Sequence, residues 1–293
     1  MILLTGATGN IGSALLRRLI ADGRQVRCLV RDPRRLGAER VRVQIALGDL
    51  ANPASFRNAL RGVDTVLHLA ATIRDREGAS IEEVNSVATV RLLRAAERVG
   101  AERFVFYSAL GASPHSSSRF FRAKALGAAA VQGSRLDSVV ISPSIVYSPG
   151  DHWLRLLERM SWLPAMPVSG RGEALYQPIW AEDVAAATMA VLAERRDGAE
   201  RIELAGPEVL SHEQIVRLVL RSLGRRRRLV HVSLPLVRAS LRGLAALVGT
   251  SSAFATWEEA ELMEISMTSP RGTADAEALG VNPLRMSAVL AGS

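Results

Sequence analysis

One lysine stands among the 37 Lys+Arg residues of this 293-residue chain, and it closes the segment Phe120-Phe121-Arg122-Ala123-Lys124. Everywhere else positive charge is arginine. A compact ammonium on a flexible four-carbon stem can do what a wide, planar guanidinium cannot. At the other end of the chain, Ile2-Leu3-Leu4-Thr5 runs into Gly6-Ala7-Thr8-Gly9-Asn10-Ile11-Gly12. Gly6 permits a tight turn, Gly9 lets backbone approach a pyrophosphate, and Gly12 lets a helix pack closely on a strand. The helix start then offers unpaired N–H groups and the positive end of a dipole to phosphate oxygens. Thr5, Gly6, Thr8, Gly9, Asn10, Ile11 and Gly12 are therefore candidate contacts to a dinucleotide.

The selecting position lies about 20 residues past such a turn, at the end of a second strand. Here it holds Arg31 and Asp32, with Arg34 and Arg35 close behind. An arginine pairs bidentately with a ribose 2'-phosphate, whereas a carboxylate accepts from a 2'-hydroxyl. The arginines point to NADP(H), and Asp32 keeps NAD(H) as second choice.

These residues need a scaffold that brings strand ends together. Apolar runs at Ile2 to Thr5, Gln25 to Val30, Val41 to Ala46, Val63 to Leu69, Arg103 to Ser108 and Asp137 to Ser142 read as strands. Segments of period near 3.6 lie between them, at Ile11 to Ala21, Ser80 to Val99 and Arg119 to Val131. This alternation predicts a parallel sheet with helices on both faces. Asn52-Pro53 supplies an N-cap and first-turn proline for a further short helix. Later come a helix at Glu182 to Ala193, a strand at Arg201 to Leu204, and a mainly helical tail that begins with a helix capped by Ser211.

Composition narrows the function classes. A hydrophobic content of 48% supplies a core, and the net charge of +8 comes from arginines scattered among acids, which reads as a mixed solvated surface rather than a nucleic-acid footprint. The single cysteine, Cys28, excludes an intrachain disulfide and a cysteine metal cluster. The histidines show no ligand spacing, so no metal is expected. With no signal-peptide pattern and no spanning apolar stretch, the expected compartment is the cytoplasm.

In this order the motifs resemble the short-chain dehydrogenase/reductase superfamily, in its extended and atypical branches, over most of the chain. Thr5 to Gly12 is similar to the TGxxGxxG phosphate loop, and Val26 to Asp32 resembles the second strand of NmrA-like and complex I 39-kDa-subunit-like proteins. The resemblance implies that Asp49 and Leu50 line the adenine, and that Leu69, Ala70 and Ala71 run under the cofactor. It implies that Ser108, in Tyr107-Ser108-Ala109-Leu110-Gly111, is the active-site serine, and that Pro143 and Ile145 shape the nicotinamide pocket. Gln177 to Ala185 resembles a junction bordering the substrate cleft. The implied fold is α/β: a Rossmann-type doubly wound parallel sheet over residues 1–205, with 148–176 contributing to the cleft. A small, mainly helical C-terminal substrate lobe follows over 206–293.

The superfamily's acid/base pair is YxxxK, and here Phe120 occupies the tyrosine position four residues before Lys124. A phenyl ring has no proton to transfer. Two readings follow. One is an oxidoreductase for an apolar carbonyl or quinone-like substrate, with Ser108 and Lys124 as its catalytic residues and Ser108, a water or a nearby group such as His115 handling the proton. The other is a non-catalytic, nucleotide-loaded sensor or accessory subunit in which Lys124 anchors the nicotinamide ribose. The expected partners are a small-molecule ligand and either a protein complex or a membrane surface. The membrane reading rests on Arg225 to Arg228 and an apolar stripe from Leu236 to Val248; its alternative is a lobe helix packed on the core.

Overall fold

The computed structural model describes residues 1–75, 78–194, 200–233, 235–240 and 257–292. Its first strands are β1 (Ile2–Thr5), β2 (Val26–Val30), β3 (Gln44–Leu47), β4 (Thr65–His68), β5 (Arg103–Tyr107), β6 (Asp137–Pro143) and β7 (Val146–Tyr147). They are followed by β8 (Ala165–Ser169), β9 (Leu175–Tyr176), β10 (Ile179–Trp180), β11 (Glu200–Leu204), β12 (Leu210–Ser211) and β13 (Arg228–Val232). Seven of them form one sheet in the order β11-β6-β5-β4-β1-β2-β3, and every pairing in it is parallel. The expected doubly wound α/β sheet is therefore present.

Strands buried on both faces need apolar residues at successive positions, and β1 and β5 are buried throughout. Ile2 and Leu4 face helices α1 (Asn10–Ala21) and α6 (Ala181–Ala193), where Leu15, Leu16, Leu19 and Val184 meet them. Leu3 faces the other way, with Val66, Phe104 and Phe106, toward α3 (Ala88–Arg98) and α4 (Arg119–Gln132). Each such buried leucine contributes roughly 1.5–3 kcal/mol. Between α1 and α3 lies the short α2 (Pro53–Phe56), whose N-cap Asn52 accepts from the Ala54 amide at 3.2 Å.

The third strand sits later than its apolar pattern suggests. Residues Pro33–Val41 form tight helical turns capped by Asp32, with Val41 82% exposed, and pairing with β2 begins at Gln44. Gly37 breaks those turns at φ 60°.

A second core joins α5 (His152–Met160), β8 and α7 (His212–Ser222) to the helix Met286–Ala291. Ser211 caps α7 in a reciprocal pair with Gln214, at 3.1 and 2.7 Å. β8 pairs with β13, so this lobe draws on chain before and after residue 206. The tail also returns to the sheet: Asp275 accepts from the Glu203 amide at 2.8 Å, and Ala276 packs among the α1/α6 residues. Residues 235–240 are helical, and the remainder of the stripe toward Val248 lies outside the described residues.

Candidate functional site

The chain runs outward from β1 through β2 to β3, then crosses back to lay β4 on the opposite side of β1. Loops at the carboxyl ends of β1 and β4 therefore diverge, and a crevice opens at this switch point. A cavity of about 680 Å³ occupies it, walled by Gly6, Thr8 and Gly9 from the first loop, by Leu69, Ala70 and Ala71 after β4, and by Asp49 and Leu50 after β3. Arg31, Asp32 and Arg35 close one end.

Sterics assign the glycines different jobs. Gly6 has φ +73°, and a Cβ there would lie 2.6 Å from the Ala70 nitrogen; a Cβ on Gly12 would lie 2.1 Å from the Gly6 oxygen. Both are required by the protein itself. A Cβ on Gly9 would touch only the Gly6 oxygen, at 3.4 Å, so the space it would fill is the cavity. The N-terminus of α1 has no side-chain cap and no acid in its first turn. Open backbone, bare amides and an uncompensated dipole suit a diphosphate.

The arginines at the cavity end are exposed, and neither the Arg31 nor the Arg35 guanidinium has a hydrogen-bond or ion-pair partner among the described residues. Asp32 spends one carboxylate oxygen on the Arg34 amide at 3.0 Å. Asp49 likewise accepts from the Ala51 amide at 3.0 Å while its own amide donates to Ser55 at 2.8 Å, which fixes this wall of the cavity.

Some expected contacts point elsewhere. Thr5 is fully buried: its hydroxyl donates to His68 Nδ1 at 2.7 Å and accepts from the Ala70 amide at 3.3 Å. His68 Nε2 donates to Thr89 at 3.0 Å, and Thr89 donates to the Asn85 carbonyl at 3.1 Å. This order requires a neutral imidazole; burial, then the Lys124 charge, lowers its pKa to about 3. Asn10 turns its amide to Asp151, at 3.2 Å, tying the phosphate loop to the N-cap of α5. Ile11 and Gly12 support the loop from beneath rather than lining the cavity.

Asn85 was not singled out by its sequence pattern. It is fully buried in a one-turn π-helix, Glu83–Val87, and its amide donates to the Thr72 and Ile81 carbonyls at 2.7 and 2.9 Å. The available signal was a polar Asn85-x-x-x-Thr89 pair on an otherwise apolar helical face. Thr72, Ala79 and Val84 are further lining residues.

Ser108, Pro143 and Ile145 lie beyond this cavity, at and after the ends of β5 and β6, and Lys124 reaches the end of β5 from α4. At about 4.8 Å per strand, the end of β5 is roughly 14 Å from the end of β2, the reach of an extended dinucleotide. Lys124 is 2% exposed and donates one hydrogen bond, to the Tyr107 carbonyl at 2.7 Å. Its ammonium sits 4.9 Å from the Phe106 ring centroid and 5.8 Å from that of Phe120. Burial lowers its pKa to about 7. Ser108 is beside it, with a long 3.5 Å contact from its hydroxyl to the Lys124 carbonyl.

No tyrosine substitutes from another position. Tyr107 donates to Thr188 on the opposite sheet face, Tyr176 donates to the Met263 carbonyl, and Tyr147 is fully buried in the second core. Burial pushes all three phenols up. His115 is exposed in its serine-rich loop. Phe120 is one of the partly buried apolar residues packed against the second core, together with Ile73, Ala112, Ile145, Met263 and Ile265, and its ring meets that of Phe121 edge-on.

Comparison with known proteins agrees with this geometry. A sequence-family profile described as NAD(P)H-binding matches residues 6–195. A ceramide reductase of Caulobacter vibrioides is 28% identical over 92% of this chain and 86% of its own length. The NADH-ubiquinone oxidoreductase 40 kDa subunit of Neurospora crassa is 27% identical over 78% of the chain, which spans only 61% of that protein. Among solved structures, a dTDP-glucose 4,6-dehydratase of Streptomyces venezuelae with NAD bound superposes with TM-score 0.75 at 20% identity, covering 99% of this chain and 94% of that one.

Proposed function

The chain belongs to the NAD(P)H-binding, atypical short-chain dehydrogenase/reductase superfamily, and on that premise we propose that it is an NADP(H)-dependent reductase of an apolar carbonyl compound. The observation that carries this reading is Lys124: a buried ammonium with one hydrogen bond and a pKa near 7, set beside Ser108 at the strand end where the dinucleotide's far half would lie. When bound, the cofactor supplies a hydride; the chain must supply the proton and the positioning. The Gly6 to Gly12 loop holds the diphosphate, and the unpaired Arg31 and Arg35 hold the 2'-phosphate. Ser108 donates to the carbonyl oxygen, and Lys124 keeps a proton available near neutral pH. The packing of Phe120 against the apolar second core, and a relative named as a reductase of ceramide, support an apolar substrate.

A second reading is favoured by one specific feature. Phe120 places a phenyl ring where a proton donor is expected, and relatives include complex I subunits, so a nucleotide-loaded accessory role is the alternative. The deciding experiment titrates the protein with NADPH and NADH, then follows cofactor oxidation against long-chain ketones, aldehydes and quinones for wild type and Phe120→Tyr. Wild-type turnover that falls as pH rises past about 7 supports the reductase. Tight NADPH binding without wild-type turnover supports the accessory role, and failure to bind either nucleotide overturns both.

A further inference from the structure

The loop after α5 is built to protrude. Ser161 is buried, whereas Trp162 is 71% and Leu163 47% exposed, and Pro164 is exposed beside them. The arginine block Arg225 to Arg228 lies against this tip, and its members divide the work. Arg225 stacks its guanidinium 3.8 Å from the centre of the Trp162 ring and donates to Ser161 and the Glu158 carbonyl. Arg227 donates to the Ser161 carbonyl at 2.9 Å. These two cap the carboxyl end of α5, where cations and N–H donors are favoured.

Arg226 and Arg228 are exposed, and their guanidiniums have no partner among the described residues. Val230, 44% exposed, continues the apolar surface along β13. Over residues 152–165 and 221–230 Glu158 is the single acid, against exposed Arg155, Arg159 and Arg221 in addition to the block.

We propose that this tryptophan-tipped, arginine-rimmed surface docks on an anionic phospholipid bilayer. Tryptophan settles at the headgroup level, short apolar residues enter the acyl boundary, and arginines pair with lipid phosphates. A soluble polyanion would use the arginines equally well but leave Trp162, Leu163, Pro164 and Val230 in water. A bilayer engages both sets. The surface is separate from the dinucleotide cavity, and this proposal does not rest on the reductase reading.

The test is flotation of the full chain with vesicles of phosphatidylcholine alone or mixed with phosphatidylserine, at low and high salt. Wild type should float with the mixed vesicles at low salt and be released at high salt. R226Q/R228Q should weaken partitioning by roughly 25-fold, from about fivefold per arginine near an anionic surface. W162S/L163S should also weaken it, while NADPH titration and melting temperature stay at wild-type values and report intact folding. Failure of wild type to float, equal flotation with phosphatidylcholine alone, or undiminished flotation of W162S/L163S would overturn the proposal. So would duplex DNA binding that displaces the vesicles and survives in W162S/L163S.

Discussion

Lys124→Met should change how stability depends on pH, by an amount the structure sets. Burial takes the Lys124 pKa from 10.5 to about 7, so between those values the unfolded chain holds a proton that the native chain has released. Stability then rises with pH through that window, because the unfolded state binds more protons. At 1.36 kcal/mol per pH unit the penalty is about 5 kcal/mol well below pH 7, and roughly 2 kcal/mol of it is recovered from pH 7 to 9. Methionine keeps the apolar volume and has nothing to titrate. Losing the bond to the Tyr107 carbonyl costs about 1 kcal/mol at every pH, so it cancels in the comparison. The assay is urea unfolding at pH 7, 8 and 9 without nucleotide, for both proteins. Wild type should gain roughly 2 kcal/mol more than the variant across that range. Parallel curves would refute the reasoning, because Lys124 would then titrate in the native protein where it does in the unfolded chain. The Cys28 thiol, raised to about 12 by burial, opposes the trend equally in both proteins.

Two further predictions concern the cavity. Gly12→Ala places a methyl 2.1 Å from the Gly6 oxygen and should lower the melting temperature by several degrees. Gly9→Ala should fold normally and weaken NADPH binding by about 10- to 100-fold, read by nucleotide fluorescence. Arg31→Ala and Arg35→Ala should each weaken NADPH by about 10- to 100-fold, the worth of a charge-assisted contact, and change NADH by less than about threefold. Equal losses for both nucleotides would remove the case for a 2'-phosphate site.

What the sequence disclosed about this molecule follows from what is local. Continuous apolar runs such as Ile2 to Thr5 and Phe104 to Phe106 report strands buried on both faces, and the spacing Gly6, Gly9, Gly12 reports a strand-turn-helix, because both depend on neighbours a few residues away. The direction of a side chain at a strand end does not. Thr5 turns inward because His68, 63 residues later, supplies an acceptor, and Asn10 turns to Asp151, 141 residues later. The arginine block reads as a charge run in sequence, yet Arg225 and Arg227 cap a helix that ends more than 60 residues earlier. Val41 carries the apolar pattern of β3 without its pairing, because the turns capped by Asp32 hold it outside the sheet.

The crossover that opens the cavity also sets how far along the chain the two neighbours of β1 lie. β1 finds one neighbour early, when Val26 to Val30 pair with it, but its other flank waits for Thr65 to His68. Until that return, Ile2, Leu3 and Leu4 form an open parallel edge, the kind that captures other chains. Within the first 47 residues β1 is therefore the rim of the β1-β2-β3 half of the sheet, although it is an interior strand of the finished one. Every later strand, β5, β6 and β11, adds outward from β4. The edge that stays open until β4 docks is the one beside which the switch-point crevice then forms.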